Sequence, residues 1–203
     1  MTIRHGLLAL LVEQPRYGYQ LRIEFESRTG ATWPLNVGQV YTTLARLERD
    51  GLVEPHGDDG EGHAYYAITS AGRAEVARWF AEPVARSAPP RDELAIKLAL
   101  AITAPGVEVL RITQAQRTQT LRALQDYTRL KAKATEADLA WLLVLDSLIY
   151  QAEAEIRWLD HCEARLVRAE AEVGKGETAE VGKGETAEVG AATAATTSRG
   201  AGS

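Results

Sequence analysis

One stretch limits the fold more than any other. Residues 33 to 53 read Trp-Pro-Leu-Asn-Val-Gly-Gln-Val-Tyr-Thr-Thr-Leu-Ala-Arg-Leu-Glu-Arg-Asp-Gly-Leu-Val. Pro34 disfavours a helical conformation at Trp33, so the chain approaches extended, and Asn36 stands where a helix would start. From there Val37, Val40, Leu44 and Leu47 recur at steps of three and four, which puts them on one stripe of a helix with a buried back. At about 100° per residue the opposite side carries Gln39, Thr42, Arg46 and Arg49, with Thr43 at its margin and Tyr41 on the flank of the apolar stripe. Gly51 stops the helix where a left-handed residue is needed, and Leu52-Val53 begins an extended pattern. A short helix with an anchored back and a basic, hydrogen-bonding front suits insertion into a groove.

The flanking sequence supplies the frame for this helix. Ile3 to Val12 is apolar on most sides and reads as a buried first helix, ended at Pro15. Tyr17 to about Arg28 reads as a second helix stopped by Gly30, with Leu21 and Phe25 facing one core at i, i+4. Its short turn into the Trp33 segment matches a helix-turn-helix, whose second helix normally reads DNA. Leu52 to His56 and Ala64 to Thr69 then read as a β-hairpin around a glycine-rich polar tip, with Pro55 suited to an edge strand. Ser70 is the expected cap of a fourth helix, Ala71 to Ala81, carrying Val76, Trp79 and Phe80. Three helices, a hairpin wing and a fourth helix make a winged helix-turn-helix over residues 1–82, in a mainly α chain.

Four blocks in this order carry a resemblance to a known family: Gly6-Leu7-Leu8-Ala9-Leu10-Leu11, Tyr17-Gly18-Tyr19-Gln20-Leu21, the Trp33 to Val53 stretch, and Tyr65-Tyr66-Ala67-Ile68-Thr69-Ser70-Ala71-Gly72-Arg73. Together they resemble the winged helix of the PadR family of bacterial transcriptional regulators. The resemblance implies repression, often relieved by an effector, through a dimer held by C-terminal helices. Arg91-Asp92-Glu93-Leu94 with Lys97-Leu98 likewise resembles the entry to the helical half of the PadR subfamily with a longer C-terminal domain.

Pro83 to Pro90 separates this unit from the C-terminal half, and residues 83–170 read as a helical dimerisation and effector domain. Asp92 starts a helix through Leu98 to Ile102, broken at Pro105-Gly106. Val107 to Lys133 reads as one helix of about 40 Å with a polar middle from Thr113 to Thr120. Thr135 with Asp138 gives a capping-box-like start to a last helix, whose stripe runs through Trp141, Leu145, Leu148, Ala152, Ile156 and Leu159. Leu142, Leu143, Val144 and Ile149 make its first turns apolar nearly all round, which one partner surface would not cover. Leu142, Leu145, Leu148, Ile149, Ile156 and Leu159 are therefore the candidate dimer contacts of a homodimer. Residues 171–203 contain two copies of an eight-residue unit, from Val173 and from Val181, and their composition reads as a disordered tail.

The formal charge of −5 masks an uneven division. Residues 1–82 hold eight arginines and no lysine against eleven carboxylates, while residues 83–170 balance. Attraction to phosphates must therefore come from a local cluster, which argues against a nonspecific DNA coat. A single cysteine, Cys162, excludes an internal disulfide framework and suits a reducing compartment. No signal-peptide pattern or long apolar run is present, and a cytoplasmic protein with no membrane partner is expected. Asp160-His161-Cys162 invites a catalytic or metal reading, but neighbours on a helix point about 100° apart and do not converge. Neither an enzyme nor a cofactor is expected.

Candidate DNA contacts are Gln39, Tyr41, Thr42, Thr43, Arg46 and Arg49 on the central helix, with Tyr17, Tyr19 and His63 beside it. Arg46 offers a planar fork for guanine or phosphate, or else pairs with a neighbouring carboxylate. Gln39 reads a base or folds back to cap its own helix. The resemblance implies a basic wing, whereas Asp58, Asp59 and Glu61 stand here with only His56 and His63 nearby. Trp79, Trp141 and Trp158 are candidate walls for a small aromatic or apolar effector, or ordinary core. The reading is a homodimeric repressor on an inverted-repeat DNA operator, with half-sites roughly 34 to 36 Å apart or a multiple of that. Its alternatives are a winged-helix protein-interaction module and a ligand-binding helical protein with weak or lost DNA binding.

Overall fold

Leu7, Leu8, Leu10 and Leu11 are all buried on helix α1 (Thr2–Glu13), and the N-terminal core is assembled against them. The computed structural model describes residues 2–58, 60, 62–85 and 91–196, with the backbone alone for 2, 170 and 173–196. The chain divides into two compact units, Met1–Arg91 with Gln125–Tyr150, and Asp92–Leu124 with Gln151–Ser203. In the first, strand β1 (Arg16–Tyr17) leads directly into α2 (Gly18–Arg28), followed by α3 (Val37–Arg49), β2 (Val53–Asp58), β3 (Ala64–Ile68) and α4 (Ser70–Ala81). Leu21 from α2, Leu35 ahead of α3, Val40, Leu44 and Leu47 from α3, Val53 and Ile68 from the strands, and Val76 from α4 complete the core, with Phe25 packed against it.

The expected hairpin gains a third strand. The sheet order is β1-β3-β2, all antiparallel, with Arg16 opposite Tyr66 and Tyr17 opposite Tyr65. Two residues carry no periodicity of their own, so β1 exists only because β3 offers it a ladder. Pro55 lies on the edge strand β2, as its missing N–H requires. Arg16 is buried here: its guanidinium donates to the Leu10 carbonyl at 2.9 Å and to Glu13 Oε2 at 3.0 Å. Arg28 reaches the same carboxylate at 2.8 Å. These two arginines, Arg28 first, hold the Glu13 carboxyl down to about 2.

The start of α4 also differs from expectation. Thr69, not Ser70, is the cap, its hydroxyl accepting from Gly72 N–H at 3.1 Å while donating to the Gly51 carbonyl at 2.8 Å. A Cβ on Gly72 would come within 2.2 Å of the Leu52 carbonyl oxygen, so only glycine lets α4 lie this close to the end of α3. The first-unit part of the C-terminal helices packs on the winged helix in at least one place. A Cβ on Gly30 (φ +58°) would meet the Trp141 ring at 2.4 Å.

Further along lie α5 (Glu93–Ala101), α6 (Val109–Lys131) and α7 (Leu139–Thr196). Asp92 caps α5 by accepting from Ala95 N–H at 3.0 Å. Helix α6 is continuous through its polar middle, at 23 residues, and the second unit shows why. Thr113 and Thr120 are buried on α6. Thr120 Oγ1 and Gln116 Nε2 donate to Glu155 on α7 at 2.5 and 3.0 Å, and Arg117 pairs with Asp160 at 2.5 Å. The polar run is a seam matched by carboxylates on α7. The expected Thr135–Asp138 box is present, with Thr135 N–H and Oγ1 donating to Asp138 at 3.0 and 2.9 Å; it caps a single 3₁₀ turn, Glu136–Asp138, ahead of α7. Helix α7 runs on through both copies of the repeat to Thr196. No described helix is long and apolar enough to cross a membrane.

Candidate nucleic-acid interface

Helix α3 is fixed at both ends by its own sequence. Asn36 Oδ1 accepts from Gly38 N–H at 2.8 Å, satisfying one of the unpaired donors at the N-terminus. At the other end Gly51 (φ +70°) donates to the Glu48 carbonyl and Leu52 to the Leu47 carbonyl, both at 2.9 Å, the paired bonds of a Schellman stop. Val40, Leu44 and Leu47 have no exposed surface, whereas Gln39, Tyr41, Thr42, Arg46 and Arg49 are exposed and Thr43 is half-buried. The back is held and the front is open.

The front residues differ in how free they are. Arg46 makes no hydrogen bond or ion pair among the described residues, so its fork is available. Arg49 is engaged, with Nε and an amino group on Asp50 Oδ1 at 3.0 and 2.9 Å. Asp50 also accepts from Arg4 at 2.8 Å, and these two arginines, Arg49 first, hold its carboxyl below the usual range. The Thr42 and Thr43 hydroxyls donate to the Gly38 and Gln39 carbonyls at 2.8 and 2.7 Å, so outward they offer a methyl and an acceptor lone pair. A phosphate contact from either would require that bond to be given up. Gln39 does not cap the helix, since that role falls to Asn36.

The tyrosines are packed. The Tyr41 ring lies over Gly18, where a Cβ would come within 2.8 Å of it. Arg22 sits 5.0 Å above the Tyr19 ring. Tyr17 stacks on His63 at 4.8 Å and meets Tyr65 edge-on at 5.4 Å, tying the start of α2 to the base of the wing. In the wing Gly57, Gly60 and Gly62 all have positive φ, and Asp58 accepts from Gly60 N–H at 2.9 Å. Asp59 and Glu61 lie outside the described residues.

Beside the front of α3 lies a cleft of about 680 Å³ lined by Ile3, Arg4, Phe25, Trp33, Gln39, Thr43 and Arg46. Gln39, Thr43 and Arg46 follow one another at steps of four and three, so they form its α3 wall. Ile3, Arg4, Phe25 and Trp33 were not among the expected site residues, because they come from three other segments. The one available signal was Trp33, a large aromatic outside the apolar stripe of α3; the structure leaves it 53% exposed.

The expected effector walls are elsewhere. Trp79 stacks on His5 at 5.4 Å and against Phe80 at 4.8 Å, Trp141 covers Gly30, and Trp158 is half-buried in the second unit. Of the expected dimer contacts, Leu145 and Leu159 are fully buried within the chain itself, so their surface is already covered. Leu142, Leu148, Ile149 and Ile156 are half-buried. Opposite the buried stripe, Leu139, Leu143 and Tyr150 are 59%, 65% and 68% exposed; at about 100° per residue they share one line along α7. Asp160 pairs with Arg117, and His161 with Arg165 at 2.9 Å. Burial pushes the Cys162 thiol up, away from the reactive thiolate. No cluster able to hold a metal occurs among the described residues.

Comparison with known proteins gives two family matches in sequence order. Residues 7–78 match the transcriptional regulator PadR-like family and residues 90–167 match virulence activator alpha, C-terminal. A probable transcriptional regulator of Mycobacterium tuberculosis is 36% identical over 96 residues, 45% of this chain and 50% of that protein. The chain thus spans about half the length of that curated relative. The virulence activator AphA of Vibrio cholerae aligns with a TM-score of 0.62 at 23% identity, over 83% of this chain and 99% of that one. PadR of Bacillus subtilis aligns at 20% identity both in complex with operator DNA (TM-score 0.63, 81% and 99% covered) and in complex with p-coumaric acid (0.65, 81% and 98%). At these identities the likeness is one of fold.

Proposed function

Given that the chain belongs to the PadR-like family of transcriptional regulators, we propose that it is a sequence-specific DNA-binding repressor acting as a homodimer and relieved by a small-molecule effector. The observation that carries this is the division of α3 into a back with no exposed surface and a front with Arg46 unpartnered among the described residues and Gln39 and Thr42 open. Gln39, Thr42, Thr43 and Arg46 enter the major groove, with Arg46 on guanine or phosphate. Arg49 joins them by leaving Asp50, and Tyr17, Tyr19, Tyr41 and His63 flank the groove. PadR in complex with operator DNA supports this docking by analogy of fold, and PadR with p-coumaric acid supports a ligand-responsive regulator. The exposed line Leu139, Leu143 and Tyr150 on α7 supplies apolar surface that a second copy covers.

The test is a salt series. On a duplex selected by the protein from a random pool, the logarithm of affinity must fall linearly with the logarithm of salt, at about −0.9 per phosphate contacted. A flat response removes the DNA reading. It would favour the protein-interaction alternative, to which the acidic wing residue Asp58 and the −3 balance of residues 1–82 lend the surface. A reporter placed behind the selected sequence distinguishes repression from activation.

A further inference from the structure

A helix in the major groove has a phosphate strand on each side of it. With its side chains it measures about 10 to 12 Å across and the groove about 12 Å, so both strands pass close along its flanks. What stands beside α3 therefore decides which phosphates the protein can hold. On one flank Gln39, Thr43 and Arg46 lie within about 60° of one another and form the α3 wall of the cleft, whereas Thr42 and Arg49 point further round and do not line it. Across the cleft stand Ile3 and Arg4 from the first turn of α1, Phe25 from α2, and Trp33. Its charge is one-sided: the described lining residues carry two guanidinium groups and no carboxylate. Arg4 gives one nitrogen to Asp50 at 2.8 Å, which orients the group, and its other nitrogens make no bond among the described residues. The indole N–H of Trp33, a residue 53% exposed, likewise has no acceptor there. The cleft thus holds free donors and cations from both walls, with apolar surface from Ile3, Phe25 and the Trp33 ring between them.

We propose that Arg4 and Trp33 are backbone contacts of the operator: the cleft seats one phosphate and its deoxyribose from the strand that borders the groove on this flank. The phosphate accepts from the Arg4 guanidinium and the Trp33 indole N–H, and the sugar lies against the Trp33 and Phe25 rings. The pairing follows from the lining. A phosphodiester offers acceptors and a negative charge but no donor, which is what unpartnered N–H groups without a carboxylate require, and the C–H face of the sugar covers apolar surface otherwise left wet. Such a contact carries no base information directly; it fixes the register and angle at which α3 enters the groove, so both are positioning residues. The Arg4–Asp50 pair gains a role as well, since it ties the phosphate clamp on α1 to the end of the helix that reads the bases. The inference rests on the DNA reading above and adds a surface that reading does not use.

The test uses the full chain and the selected duplex carrying one methylphosphonate at a time, which removes the charge of a single phosphate. Anisotropy should find a position in each half-site where this neutralisation weakens the unaltered protein about tenfold. In Arg4→Gln, and separately in Trp33→Phe, which keeps an aromatic wall but removes the N–H, the penalty at that position should shrink at least about threefold while other positions keep theirs. Arg4→Gln should also flatten the salt slope by about 0.9 per protomer, and the neutral change Trp33→Phe should leave the slope unaltered. A merely structural role at either residue would weaken binding alike at every phosphate, so penalties that simply multiply at all positions overturn the contact. An independent reading is the Trp33 indole N–H resonance, identified by its absence from Trp33→Phe; it must shift on saturation with the duplex, and an unmoved resonance overturns the assignment of Trp33. If the duplex binds with a steep salt slope and Arg46→Ala weakens it while neither variant couples to any phosphate, the DNA reading stands and this inference alone falls. A flat salt response removes both.

Discussion

Replacing Arg46 by alanine separates the open arginine of α3 from the engaged one. Arg46 has no ion pair among the described residues to surrender on binding, whereas Arg49 must leave two bonds to Asp50 at 3.0 and 2.9 Å. A bidentate base contact is worth about 1–3 kcal/mol. A dimer presents the residue twice, so Arg46→Ala should lose about 2–6 kcal/mol, a fall of roughly 30-fold to 2 × 10⁴-fold in operator affinity. If Arg46 instead clamps phosphate, all sequences weaken alike and the salt slope shrinks by about 1.8 per dimer. Arg49→Ala should cost less, because part of its charge is already spent on Asp50. Asp50→Asn should tighten binding and steepen the slope by releasing both Arg49 and Arg4. The assay is fluorescence anisotropy on the selected duplex from about 50 to 200 mM salt. Arg46→Ala within about twofold of the unaltered protein, or Arg49→Ala weaker than Arg46→Ala, refutes the assignment of the open front to DNA.

Packing and charge lead to further expectations. The Glu13 carboxyl lies at about 2 folded against 4.5 unfolded, so its contribution is complete above 4.5 and lost as pH falls toward 2; the urea midpoint should drop across that window and Glu13→Gln should flatten the drop. Gly30→Ala forces a left-handed alanine into the Trp141 ring, at about 1–2 kcal/mol for the backbone and about 1–3 for overpacking, read as a lower thermal midpoint with an altered near-ultraviolet tryptophan signal. Leu143→Glu should shift the chain toward monomer in sedimentation without unfolding it, whereas Leu145→Ala should destabilise the fold by about 2–5 kcal/mol. Thr120→Val removes the hydroxyl donated to Glu155 at 2.5 Å, and about 1–3 kcal/mol should disappear from denaturant unfolding.

Helix α3 was legible because every signal it needs is local. Its stripe at steps of three and four, the Asn36 cap and the Gly51 stop agree with one another within about fifteen residues. The hairpin and its edge proline were legible for the same reason. The cap of α4 was misplaced by one residue because Thr69 and Ser70 are chemically alike, and the choice falls to Thr69, whose hydroxyl also reaches Gly51. Strand β1 was missed because two residues acquire an identity only from the strand they meet. The buried threonines of α6 were read only as a polar middle because nothing in α6 announces Glu155 and Asp160 some 35 to 43 positions away.

Sequence alone determined that a short helix with a basic, polar front and a leucine back succeeds a turn and precedes a wing, since periodicity, caps and stops are properties of neighbours along the chain. Only the tertiary structure decided which front arginine is open and which is held. It also decided which side of α7 is already covered, and that Ile3, Phe25 and Trp33 meet Arg46 around one cleft. These depend on distances between segments remote in sequence, and a residue's polarity sets what it can bind without setting what stands beside it.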